Sequence, residues 1–127
     1  MGLPLVTEDE TLSFIDARIK SVWSLELLLL LFREPARAWR RDELARELRG
    51  SEVVVQEALG SLYKAGLVIE DQPGIVRFGP ASDHLRDMVA SVDRIYTVRP
   101  MAIIKAITGS PNDRLRIFSD AFKFREK

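Results

Sequence analysis

Apolar residues recur at helical spacing along much of this chain. Phe14, Ile15, Ile19, Val22, Trp23, Leu27, Leu30 and Leu31 predict a helix over about residues 12–33. Leu25, Leu28, Leu29 and Phe32 widen the stripe to most of the helix circumference. A helix apolar nearly all round is buried on more than one side. The second side must meet another helix of the chain or a second subunit, so the stretch reads as a central core helix, a dimer-interface helix, or both. Glu34-Pro35 ends it, because the residue before proline is pushed out of helical geometry. Thr7 and Glu10 fit a capping box, which allows helix to begin as early as Glu8.

The pattern then shortens. Arg37-Ala38-Trp39-Arg40 reads as a small strand in which Trp39 packs. Asp42 is placed to cap a short helix, with Glu43 near the positive end of the helix dipole and Leu44, Ala45 and Leu48 on one apolar face. Gly50 fits a left-handed cap. A second helix is predicted from residue 51 or 52 to 65, with Val55, Ala58, Leu59 and Leu62 facing the core and Gly66 as its stop. Leu67, Val68 and Ile69 begin a strand, Asp71-Gln72-Pro73-Gly74 turns, and Ile75 to Phe78 return. Gly79-Pro80 closes the hairpin.

Beyond it, Ser82 or Asp83 caps a helix striped by Leu85, Met88, Val89, Val92, Ile95 and Tyr96, a face suited to lying along a partner helix. Pro100 either kinks this helix or starts a new one as its first residue. Met101, Ile103, Ile104 and Ile107 continue the apolar surface up to Gly109. Ser110-Pro111-Asn112-Asp113 is a helix start, and a last helix over about 111–124 turns Leu115, Phe118, Ala121 and Phe122 inward. No repeat, low-complexity segment or linker divides the 127 residues, which read as one domain.

The order of elements over residues 37–78 resembles the winged helix-turn-helix, as found in transcriptional regulators of the broad MarR and ArsR type. The residues that carry the resemblance are ELAREL, the turn at Gly50–Ser51, the join LYKAGLV and the hairpin after it. The implied fold is mostly α with a small β-hairpin: a winged-helix module over 37–79, an N-terminal helix over 12–33, and C-terminal helices over 83–124 for packing or dimerisation. The implied function is DNA binding and transcription regulation by a homodimer. In such regulators the second helix of the pair lies in the major groove and the wing reaches a phosphate or the minor groove. The outward positions here are Glu52, Val53, Val54, Gln56, Glu57, Gly60, Ser61 and Lys64. Gln56 is the candidate reader of adenine, Ser61 a phosphate contact, and Val53 or Val54 a contact to a thymine methyl. Lys64 is the one cation among these positions, while Glu52 and Glu57 repel phosphate. The candidate DNA-binding set is therefore Arg37, Arg40, Arg41, Gln56, Ser61, Lys64 and Arg77, with Arg46 and Arg49 adding charge.

Composition adjusts this picture. Nineteen Lys and Arg balance nineteen Asp and Glu, so no overall positive field draws the chain to nucleic acid, and a local patch must do so. Glu43 and Glu47 interleave with the arginines, which also fits an ion-paired surface. The alternative is therefore a winged-helix protein-interaction adaptor, with Glu52 and Glu57 meeting a basic protein partner. A continuous positive stripe along Arg37, Arg40, Arg41, Lys64 and Arg77 favours DNA, and a broken one favours protein.

With no cysteine and one histidine, neither a thiolate site nor a multi-histidine metal site is available, and no cofactor is expected. His84 at a helix start has no companion nucleophile, and the glycines form no phosphate loop, so no enzyme activity is expected. Trp23, Trp39, Phe118, Phe122 and Phe124 read as core. The N-terminus lacks a secretory signal and no apolar run is long enough to span a bilayer, so a cytoplasmic protein with no membrane contact is expected.

Overall fold

In the computed structural model, which describes residues 6–108, the long N-terminal apolar stretch forms two helices, not one. Helix α1 (Glu8–Arg18) opens with the capping box: Thr7 Oγ1 accepts from the Glu10 N–H at 3.1 Å, and Glu10 Oε1 accepts from the Thr7 N–H at 2.9 Å. Ile19 leaves helical geometry for an extended one. Ser21 then caps α2 (Val22–Arg33), its hydroxyl accepting from the Ser24 N–H at 3.0 Å. This corrects the continuous helix over 12–33. Ile19 is buried on either description, so apolar spacing alone does not register the break. Serine, a weak residue inside a helix, is strong at its N-cap.

Helix α2 is the centre of the molecule. Leu25, Leu27, Leu28, Leu29 and Leu31 have no exposed surface. Other elements of the same chain cover them: α3 (Arg41–Leu48), α4 (Glu52–Lys64), α5 (Asp83–Val98) and the strand β3 (Ile75–Phe78) all pack against α2. Burial on several sides therefore needs no second subunit. Trp23 departs from the core expectation: it sits in the first turn of α2 and remains 40% exposed, beside Val22 at 38%.

The short strand is β1 (Trp39–Arg40), with Trp39 buried. The next helix starts earlier than expected. Arg40 occupies the cap of α3, its N–H donating to Glu43 Oε1 at 2.8 Å, and Asp42 lies inside the first turn. The left-handed residue closing α3 is Arg49 (φ 58°, ψ 37°), not Gly50. Gly50 answers a different need, because a Cβ there would stand 3.0 Å from the Trp23 ring. Ser51 caps α4 by accepting from the Val54 N–H at 3.1 Å. Val55, Ala58, Leu59 and Leu62 are buried as the pattern predicts.

Gly66, at φ 77°, turns the chain from α4 towards β2 (Val68–Gln72). The sheet is antiparallel in the order β1-β3-β2, pairing Trp39 with Val76 and Val68 with Phe78. Asp71 and Gln72 belong to β2, beside an irregularity in register between Glu70 and Gln72. The reversal is confined to Pro73–Gly74, with Gly74 at φ 80° in the position a type II turn reserves for glycine.

Ser82 caps α5 through the Leu85 N–H at 3.1 Å. Pro100 starts a separate helix, α6 (Pro100–Thr108). Helices α1, α5 and α6 pack together, and the buried hydroxyls of Thr11 and Ser91 share a hydrogen bond of 2.7 Å across the α1–α5 contact. An ion pair between Arg99 and Glu8 ties the end of α5 to the start of α1 and holds the Glu8 carboxyl below the usual range. The predicted helix over 111–124 lies outside the described residues. Among the described residues the chain is mostly helical with one small antiparallel sheet, a layout compatible with a winged helix. No helix among them is long and apolar enough to cross a membrane.

Candidate nucleic-acid interface

Burying Val55, Ala58, Leu59 and Leu62 turns the opposite face of α4 outward. Glu52, Val53, Gln56, Glu57 and Lys64 are exposed, while Val54, Gly60 and Ser61 are half-buried. Val53 is 66% exposed in the first turn of α4.

Five of the expected arginines are each engaged with a neighbour, while Arg49, at the left-handed end of α3, has no ion-pair partner among the described residues. Arg37 stacks on Trp39 with its guanidinium carbon 3.4 Å from the ring centroid, and approaches Glu34 at 3.5 Å. Arg40 holds Asp42 with two contacts of 3.1 Å. That pairing keeps the Asp42 carboxyl below its usual range and raises the Arg40 guanidinium. Arg46 reaches the same carboxylate at 3.5 Å. Arg41 lies 3.5 Å from Glu70, and Arg77 donates to Asp71 at 2.6 Å. The stripe from Arg37 to Arg77 is therefore interleaved with carboxylates and is not continuous.

Glu70 is the junction between the hairpin and the helices. Its carboxylate accepts from the Gly74 N–H at 2.6 Å and from the Tyr63 hydroxyl at 2.9 Å, with Arg41 behind. The Gly74 amide, followed by the Tyr63 hydroxyl, holds Glu70 below the usual carboxylate range. Burial, reinforced by Glu70, pushes Tyr63 up to about 12. The turn of the hairpin is thus fastened to the last turn of α4.

Two cations that the sequence pattern did not single out stand beside α4. Arg18 and Lys20, at the break between α1 and α2, border a groove of about 800 Å³ whose other wall is Glu57, Gly60, Ser61 and Lys64. Arg18 Nη1 donates to the Ala65 carbonyl at 2.7 Å, placing positive charge at the C-terminal end of α4, where the helix dipole favours it. Apolar spacing assigns these residues no neighbour; in the structure they stand at the end of α1 and just after it, facing α4.

Two smaller clefts are also present. One, of about 450 Å³, lies between α1 and α5 and is bordered by Asp9, Glu10, Phe14, His84 and Met88. The other, of about 350 Å³, is bordered by Val22, Trp23, Glu26, Glu47 and Leu48. Among the described residues no cluster of His, Asp and Glu is placed to hold a metal ion.

No family model, curated protein or solved structure matches this chain. Any functional reading therefore rests on the geometry around α4.

Proposed function

We propose that this chain is a winged-helix DNA-binding protein that regulates transcription as a homodimer. The observation that carries the reading is the outward face of α4. It follows a short helix and a tight turn, is flanked by a fastened hairpin, and leaves Glu52, Val53 and Gln56 exposed at its N-terminal half. Residues at that end of a reading helix are the ones that reach base edges in the major groove. Gln56 would pair with adenine and Val53 would contact a thymine methyl. Ser61, Lys64 and the arginines would meet the backbone.

The ion pairs of the arginines do not preclude this. Exposed pairs contribute on the order of 0–1 kcal/mol, so a phosphate exchanges for a carboxylate at little cost. The displaced carboxylates stay nearby, however, and lower the local field. In a symmetric dimer two such helices would lie about one turn of DNA apart on a near-palindromic site. Unbiased selection of DNA fragments at fixed salt tests the reading. Enrichment of a near-palindromic site is expected, and recovery of no fragment above random DNA would sink it. An Arg77→Ala change should weaken binding alike on all sequences.

On the charge criterion alone the interrupted arginine stripe favours a second reading over DNA, a protein-interaction adaptor presenting Glu52 and Glu57 to a basic partner. The exposed Trp23 and Val22 add an aromatic and aliphatic contact surface of the kind enriched in interfaces. A pull-down that recovers no protein partner counts against this second reading.

A further inference from the structure

We infer that the groove between the end of α1 and the outer face of α4 seats a sugar-phosphate strand, with Lys20 and Lys64 as its phosphate contacts. The inference rests on the DNA-binding reading and adds to it Arg18 and Lys20, a groove wall outside the helix-turn-helix and hairpin that faces the C-terminal half of α4. Charge is the first observation. Arg18, Lys20 and Lys64 converge on one groove against a single carboxylate, Glu57. Lys20 and Lys64 have no ion-pair partner among the described residues, whereas Arg37, Arg40, Arg41, Arg46 and Arg77 all do. Lys20 and Lys64 can therefore take a phosphate without displacing a carboxylate, as Arg49 at the end of α3 also can, whereas the paired arginines of the stripe cannot.

Gly60 is the second, independent observation. It lies inside α4, where glycine is the least favourable residue after proline. Tight packing is not the reason, because a Cβ built at Gly60 would meet nothing within 4 Å. The space it opens faces the groove, beside the Ser61 hydroxyl. A bare stretch of helix backbone there admits close approach of a ligand, which is what glycine provides where a side chain would hold the ligand off. A phosphodiester strand lying along Gly60 and Ser61 would have Lys64 on one side and Lys20 on the other. Glu52, Val53 and Gln56 do not border this groove, so base contacts there and backbone contacts here are compatible.

Fluorescence anisotropy with labelled duplex DNA, measured over a series of salt concentrations, tests the assignment. Lys20→Gln with Lys64→Gln should weaken binding equally on every sequence and reduce the slope of log affinity against log salt by roughly 2. Glu57→Gln should tighten binding. Gly60→Ala should raise the melting temperature, by improving helix propensity, while weakening binding, a combination that a merely structural glycine would not produce. If the wild-type chain binds DNA and the double lysine variant keeps its affinity and salt slope, the groove assignment is wrong and the DNA-binding reading stands. Absence of any wild-type binding to duplex DNA overturns both. Inorganic phosphate competing at millimolar concentration, with no length dependence on DNA, would point to a small-anion site and also overturn the strand assignment.

Discussion

Replacing Tyr63 with phenylalanine removes one hydroxyl from the junction that fastens the hairpin to α4. The Tyr63 hydroxyl donates to Glu70 at 2.9 Å, and the same carboxylate also accepts from the Gly74 amide. Glu70 keeps that amide and Arg41 after the change, so no buried group is orphaned. A hydrogen bond to a charged acceptor contributes about 1.5–3 kcal/mol when desolvated. This one is partly open to solvent, which reduces the expected loss to about 1 kcal/mol. For a domain of this size that is a fall in Tm of roughly 4 °C. The pH dependence has a definite sign. Tyr63 is raised from 10.0 to about 12, so the folded state holds its proton more tightly than the unfolded state does. Its contribution is fully present below pH 10.0 and is lost as pH rises through about 12, so the gap between wild type and Tyr63→Phe should close across that window. Tyr96, the other tyrosine, is also raised, first by its hydrogen bond to Glu26. Tyrosinate absorbance of the folded wild type should therefore develop late, and its amplitude should halve in the variant. Equal melting temperatures at neutral pH, together with ordinary titration of both tyrosines, would refute the fastening of the hairpin.

Leu28→Ala, at a fully buried site in the middle of α2, should cost about 2–5 kcal/mol in urea unfolding, and a loss well below that range would contradict the central packing of α2. Ser21→Ala separates two helices from one by sign: it should cost about 1 kcal/mol as a lost cap, whereas alanine within a continuous helix would stabilise. Gly79→Ala places a Cβ 2.8 Å from Ile69 Cγ1 and should lower Tm, with Ile69→Ala in the same chain recovering part of the loss. Gly74→Ala meets no neighbour, and should cost only about 1–2 kcal/mol for its positive φ, confined to the hairpin turn in hydrogen exchange.

Much of the architecture was legible in the residues themselves because its causes are local. Val55, Ala58, Leu59 and Leu62 mark the buried side of α4 by spacing alone, and Ser82 and Pro100 offer helix starts among the alternatives their chemistry allows, Ser82 proving the cap of α5 and Pro100 the first residue of α6. Pro73–Gly74 sets the hairpin turn because glycine accepts the positive φ that the reversal needs. The near-complete apolar surface of α2 also correctly implied burial on several sides.

Tertiary structure decided what depends on neighbours distant in sequence. The chain leaves helix at Ile19 and restarts at Ser21 in a stretch where the apolar period runs on unchanged, and Arg18 and Lys20 beside that break face α4. Gly50 fits the left-handed cap by residue type, but Arg49 adopts that conformation while Gly50 makes room for the half-exposed Trp23. The pairing of Arg41 with Glu70 and of Arg77 with Asp71 was equally hidden, because a sequence shows charge balance but not which charges touch. Period and capping are properties of a few adjacent residues. The field around α4 is a sum over charges that only the folded chain brings within reach of one another.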